Sequence, residues 1–371
     1  MNTLGDLASR RNNNFNLIRM LAATAVLVSH SYPLSQGSAA VEPLSDWLDL
    51  SLGELAVITF FCVSGFFISL SQDRAPSSID FFSARFLRIY PGLTLVLLLS
   101  VFLIGPIFTT LGTVEYFRSS AIYSYLSKNL MLFNMQFHLP GLFEDNPWPG
   151  INGSLWTLSY EVTLYVLVGG LGAFAFYGKG RRFAVFLLVY AIDYVAFKVM
   201  SANTTLMTGM PLVEFFFTWS LPFVLGMTLY RYRQHIQHRF VWFLPLAALA
   251  AWSYQKPYFF ECFVAAWTWL IFYLGFATNS LVNRYNRLGD YSYGVYIYAF
   301  PVQEILAHQV KGIGPISMTL VAFPIVLIAA VFSWHCIEKP AMSKRHVFAA
   351  QIANSFNGVK AYWAAMGKGA A

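Results

Sequence analysis

Arg19 and His30 stand in one apolar run, Asn16 to His30, with ten residues between them. A guanidinium near the middle of a membrane helix costs about 2.5–3.5 kcal/mol, so such a group faces a protein interior or a wet cavity. Eleven helical steps carry a side chain roughly 16 Å along the axis and return it to nearly the same face. The two groups read as stations on one path. One is a fixed positive charge, the other an imidazole able to take a proton from a hydroxyl near neutral pH. The alternative is a hydrogen-bonded core His beside a structural Arg.

Other groups with chemical capacity recur further on. Arg85 and Arg88, at i and i+3, share a helix face. Paired guanidiniums suit phosphate, which Arg grips in bidentate fashion; flanking charge at a span end is the plainer reading. Glu161 lies about two turns into its span from the outer side, a depth matching His30, with Tyr165 one turn beyond. An intramembrane carboxylate needs a partner or a proton, and His30 is a natural candidate for either. Ser64-Gly65 offers a small surface for close helix contact. Ser64, Trp156, Tyr165, Ser292, Tyr293, Tyr296 and Glu338 are candidates for a pocket wall, and the tyrosines of the 290–309 window alternatively form an aromatic belt. Glu338 closes the last span where Arg85 or Arg88 could pair with it. Glu54, Glu214, Glu261, Glu304 and His308 fall near outer helix ends as solvated groups, or jointly as a polar mouth for a sugar.

The elements that position these groups follow from composition. Of 371 residues only 11% are charged, against about 25% in an average soluble protein, and 57% are hydrophobic. Apolar runs near the roughly 20 residues a bilayer needs give ten windows: 15–34, 52–71, 88–108, 155–177, 182–200, 211–230, 240–255, 258–277, 290–309 and 314–335. The seventh is the weakest, because Trp252 to Tyr258 leaves little room for a turn. Of the 24 Lys and Arg, 18 fall on alternate loops and tails, from Arg10 and Arg11 to Lys360 and Lys368. Only Arg118, Lys128, Lys198, Lys256 and Lys311 fall on the opposite side. The positive-inside rule then puts both termini in the cytoplasm. The expected fold is all-α, about ten transmembrane helices around a central cavity. A membrane domain spans 1–346, and a cytoplasmic tail over 347–371 carries Phe348, Ile352, Phe356 and Trp363. The first apolar run is read as an uncleaved span.

The long loop 110–154 falls outside the membrane. It holds a helical stretch, Val114–Met135, then Pro147-Trp148-Pro149-Gly150, and reads as a lid, a binding wall or a plain connector. Cys62, Cys262 and Cys336 lack any paired spacing, so neither a disulfide framework nor a metal site is expected. The net charge of +7 is dispersed over short loops and gives no nucleic-acid footprint.

In order along the chain, these segments resemble the acyltransferase type 3 family of membrane O-acyltransferases. The resemblance rests on Arg19 and His30, Phe60-Phe61-x-x-Ser64-Gly65-Phe66, and Arg85-x-x-Arg88 with Pro91. It continues through Trp156-x-Leu158-x-x-Glu161-x-x-x-Tyr165, Gly289-x-x-Ser292-Tyr293-x-x-Tyr296 and Glu338-Lys339-Pro340. It covers about 10–345. It implies an acyl-CoA donor, usually acetyl-CoA, used from the cytoplasm with no tightly bound cofactor. It also implies a hydroxyl acceptor on an exported or cell-surface glycan, and a multi-pass place in the bacterial inner membrane. His30 would be the catalytic base, Arg19 its functional partner, and Arg85 and Arg88 the donor-binding pair; Glu161 as the group that tunes His30 is inferred from depth. Many members carry a His where this chain has Ala299, so any role of that second His does not transfer. The membrane unit is expected to act without the soluble hydrolase-like domain that some members add, or with a partner. The rival class is a transporter using Arg19, His30 and Glu161 as a relay.

Overall fold

The structure, a computed structural model, describes residues 2–10, 12–173, 180–201, 211–277, 285–286 and 288–355. Arg11, Lys179, Arg284, Arg287, Phe356, Lys360, Trp363 and Lys368 lie outside the described residues. The described chain is helical, and its only β pairing consists of two isolated bridges.

Each expected window holds a helix. These are α1 (Phe15–Gln36), α2 (Leu52–Arg74), α3 (Ser78–Leu99), α4 (Trp156–Ala173) and α5 (Gly180–Ser201). They continue with α6 (Pro211–Arg231), α7 (Phe243–Trp252), α8 (Phe259–Phe276), α9 (Ser292–Gln309) and α10 (Pro315–Ser333). Local chemistry sets several starts. Ser51 and Glu54 form a capping box for α2, Ser77 caps α3, and Pro315 follows Gly314 into α10. A π-helical turn, Ser100–Ile104, carries α3 on to Phe108, and another, Trp334–Glu338, extends α10.

Seven of these helices are long and apolar enough to cross a membrane: α1, α2, α3, α5, α6, α8 and α10. The other three helices fall below that measure of length and hydropathy. The seventh window yields only Phe240–Trp252, short as its turn demanded. Helices α4 and α9 carry more polar side chains, Thr157 on α4 and Ser292, Gln303 and Glu304 on α9 being buried, and α9 is buried along almost its whole length. Lipid-facing surface shows clearly on α5, where Val185, Leu188, Ile192, Val195 and Val199 form one exposed stripe. A stripe of that kind belongs against hydrocarbon.

The helix pair α2–α6 meets backbone to backbone. A Cβ on Gly65 would lie 2.0 Å from the Phe223 carbonyl oxygen, and one on Gly226 would lie 2.1 Å from that of Cys62. The close contact expected at Ser64-Gly65 is therefore present, made by the glycine. The helix α9 packs between α1 and α10 and also touches α3, so it is the post around which charged groups gather. Past α10, a helix over 345–355 begins the tail; its Phe348 stacks on Phe86 of α3.

Candidate active site

At one end of α9 the chain ties four elements together through charge. Asp290, just ahead of the helix, accepts at Oδ2 from Arg19 Nη2 of α1 (3.1 Å) and from Arg88 Nη2 of α3 (2.8 Å). Its Oδ1 accepts from the Ser292 hydroxyl (2.6 Å). Arg88 also donates through Nη1 to Glu338 Oε2 (3.2 Å), and Glu338 takes the Ser333 hydroxyl (2.9 Å). The rings of Tyr293 and Trp334 flank the Arg88 guanidinium at 5.4 and 5.7 Å. Buried charges of this kind persist only when paired and hydrogen-bonded, and here each carboxylate is. The pairing of Glu338 with Arg88 matches the expectation from sequence.

Beside this knot lies a cavity of about 130 Å³. Arg19, Arg85, Arg88, Ser64, Glu161, Tyr165, Ser292, Tyr293 and Tyr296 reach its wall, with Phe60, Phe61 and Phe67 as apolar lining. Glu161 accepts from Tyr165, one turn along α4, and from Ser64 Oγ (3.4 Å). Tyr296 shares a 2.6 Å hydrogen bond with Thr157 and donates to the Ser154 carbonyl (2.9 Å). Arg85 differs from its neighbours. It forms no ion pair among the described residues; its buried Nε, like that of Arg19, has no hydrogen-bond partner. The wall thus presents two guanidiniums held in ion pairs and a third, Arg85, that no ion pair holds and that the charge of Glu161 reaches only at longer range.

His30 is not part of that wall. It sits further along α1, edge-on to Phe300 at 5.3 Å, and Phe300 is one turn beyond Tyr296 on α9. Its Nδ1 is buried without a hydrogen-bond partner. Around it, Gln303 donates to the Leu27 carbonyl (2.8 Å) and to Ser31 (2.7 Å), which keeps α1 and α9 in register. The long loop comes down on this end. Trp148 packs on Phe300 (4.9 Å), Asn146 donates to Glu304 (2.6 Å), and Asn152 donates to the Ile297 carbonyl (2.9 Å). The loop is a wall over His30, pinned to α9.

Several expectations change. Glu161 makes no hydrogen bond to His30; it belongs with the arginines. The turn Gly153–Leu155 is buried and meets Tyr296, so α4 starts inside the fold and carries Glu161 past the His30 level. Trp156 lies outside the cavity, clustered with Tyr160, Phe215 and Trp219. Glu338 sits behind Arg88 instead of on the cavity wall. Glu304 is fully buried under Asn146, not solvated; Glu261 binds Lys198 (3.0 Å) and Tyr194 (2.8 Å). Asp290 had no role assigned from sequence. Its signal was a lone carboxylate beside Gly289 at the start of a span, on the same side as Arg88.

With this geometry in hand, comparison with known proteins is decisive. Residues 12–335 match the family model described as an acyltransferase domain. The chain belongs to the acyltransferase 3 family. An O-acetyl transferase of Shigella phage Sf6 is 33% identical over 347 residues, covering 90% of this chain and 97% of the relative. Nodulation protein 10 of Rhizobium leguminosarum bv. viciae is 26% identical over 370 residues, covering 91% of this chain and 95% of the relative. No solved structure matches. The acyltransferase 3 fold seen here is a membrane protein whose polar groups converge at the two ends of α1.

Proposed function

We propose that this membrane acyltransferase moves an acyl group, acetyl in the first instance, from cytoplasmic acyl-CoA to a hydroxyl of a cell-surface or exported carbohydrate. The observation that carries this reading is Arg85, which forms no ion pair among the described residues, on the cavity wall beside Arg19 and away from the His30 end of α1. The bias of Lys and Arg toward one set of loops supports a cytoplasmic donor mouth at the arginine end, in a bacterial inner membrane.

In this mechanism the donor's phosphates meet Arg85, which no ion pair among the described residues holds. The pantetheine arm lies along Ser64, Glu161 and Tyr296, leading the thioester toward Phe300 and His30. The acceptor hydroxyl enters beneath Trp148. His30 takes its proton as the oxygen attacks the thioester carbonyl. The carbon–sulfur bond then breaks, and His30 returns the proton to the departing CoA sulfur. Donor and acceptor meet without CoA crossing the membrane. Glu161 fixes Tyr165 and lines the route, while Arg19 anchors the foot of α1 through Asp290.

The test uses purified protein in lipid nanodiscs. Free CoA should be released from acetyl-CoA in proportion to added carbohydrate acceptor, and the acceptor should gain the mass of an acetyl ester. Solute counterflow in liposomes, with no CoA released, would reject the reading in favour of a transporter.

A further inference from the structure

We propose that Asp290 is the positioning residue of the donor end. It ties Arg19 to Arg88, so that Arg85 alone is left to meet the donor's phosphates. The inference rests on the acyl-CoA reading above and adds a residue to it.

Three guanidiniums converge here from two helices, Arg19 from α1 and Arg85 and Arg88 from α3. Like charges this close repel, and where each one rests depends on the carboxylates among them. Glu338 from α10 forms an ion pair with Arg88 alone, and Glu161 from α4, hydrogen-bonded by Tyr165 and Ser64, forms none and acts on Arg85 and Arg88 only at longer range. Asp290 is the group that joins two of the three. One oxygen takes both Arg19 and Arg88, while Ser292 holds the other and so fixes the plane of the carboxylate. The segment around it is gripped a second time. Asn16 donates to the Gly289 carbonyl (2.9 Å) and accepts from Arg19 (3.2 Å). Moving Asp290 therefore moves the foot of α1, which is the helix that carries His30.

The Asp290→Asn variant keeps the shape and loses the charge. Arg19 is released, and the cavity becomes one unit more positive. The expected result is a split. The kcat falls by about 10²-fold, as displaced reacting groups do. The KM for acetyl-CoA stays level or drops, because the added positive charge favours the anionic donor. Asp290→Glu restores most of the kcat. Ser292→Ala, which frees the carboxylate without removing it, moves kcat the same way by less, and it serves if Asp290→Asn fails to fold. A residue that only held the fold together would lower the yield of active protein and leave the kcat of the folded fraction unchanged; that result overturns the proposal. So does a raised KM with normal kcat. If wild-type protein neither releases CoA from acetyl-CoA nor is protected by CoA against heat, the acyl-CoA reading itself falls and takes this inference with it. If wild type does both and the variants match it, only the inference falls.

Discussion

Replacing His30 with Ala should lower acyl transfer by about 10²–10⁴-fold, the range a positioned general base supplies. The protein should still fold and insert. The imidazole makes one ring contact, with Phe300, and its Nδ1 holds no hydrogen bond, so its removal breaks no network. The alternating polar pins nearby, Gln303 to Ser31 and Asn146 to Glu304, do not involve it. The KM for acetyl-CoA should change little, because Arg85 lines the cavity beside Arg19, and Arg19 lies on the order of 16 Å from His30 along the axis of α1. Turnover and donor affinity of the variant, measured on protein with a wild-type melting profile, check both halves. Turnover close to normal would remove His30 from the chemistry.

The second large effect separates two arginines that look equivalent in sequence. Arg85→Ala should yield folded protein with weakened donor binding. A charged hydrogen bond is worth about 1.5–3 kcal/mol, and each 1.4 kcal/mol is tenfold, so the KM for acetyl-CoA should rise by about 10- to 100-fold. Arg88→Ala should act on the fold instead. It leaves Asp290 short of one cation and Glu338, at 1% side-chain exposure, with none. Stranding a buried charge costs about 3–5 kcal/mol, a large part of the stability of a typical domain. Little folded protein should survive extraction in detergent. A folded Arg88→Ala variant with a pure donor-affinity defect, beside a misfolded Arg85→Ala, would reverse the assignment.

Much of this was legible before the structure. Hydrophobic windows located all ten helices, because burial or lipid contact demands long apolar runs wherever the helix lies. Windows cannot tell a lipid-facing helix such as α5 from a buried one such as α9. The triplet spacing placed Arg85 and Arg88 on one face, and Gly65 marked a close contact. What the pattern hid was pairing between elements far apart in the chain. Asp290 meets Arg88 across 202 positions, and nothing local to either residue announces the contact. The different fates of Arg85 and Arg88 follow from that pairing. Glu161 was misplaced because depth was measured from the chain's entry into an apolar window; the buried turn ahead of α4 shifts that origin. Glu304 was misread for a related reason. It stands near a helix end, and the end is roofed by Asn146 from a loop more than 150 residues earlier.

The central claim is that one path along α1 joins a donor on one side of the membrane to an acceptor on the other. Proteoliposomes with a single, protease-verified orientation test it most directly. Acetyl-labelled CoA is supplied on one face and a carbohydrate acceptor on the other, and then the two are exchanged. Label should reach the acceptor only when the donor is on the face that bears Arg74 and Arg345 and the acceptor is opposite, and none should do so with His30→Ala. Equal labelling when both substrates share one face, or label transfer that survives the loss of His30, would contradict it.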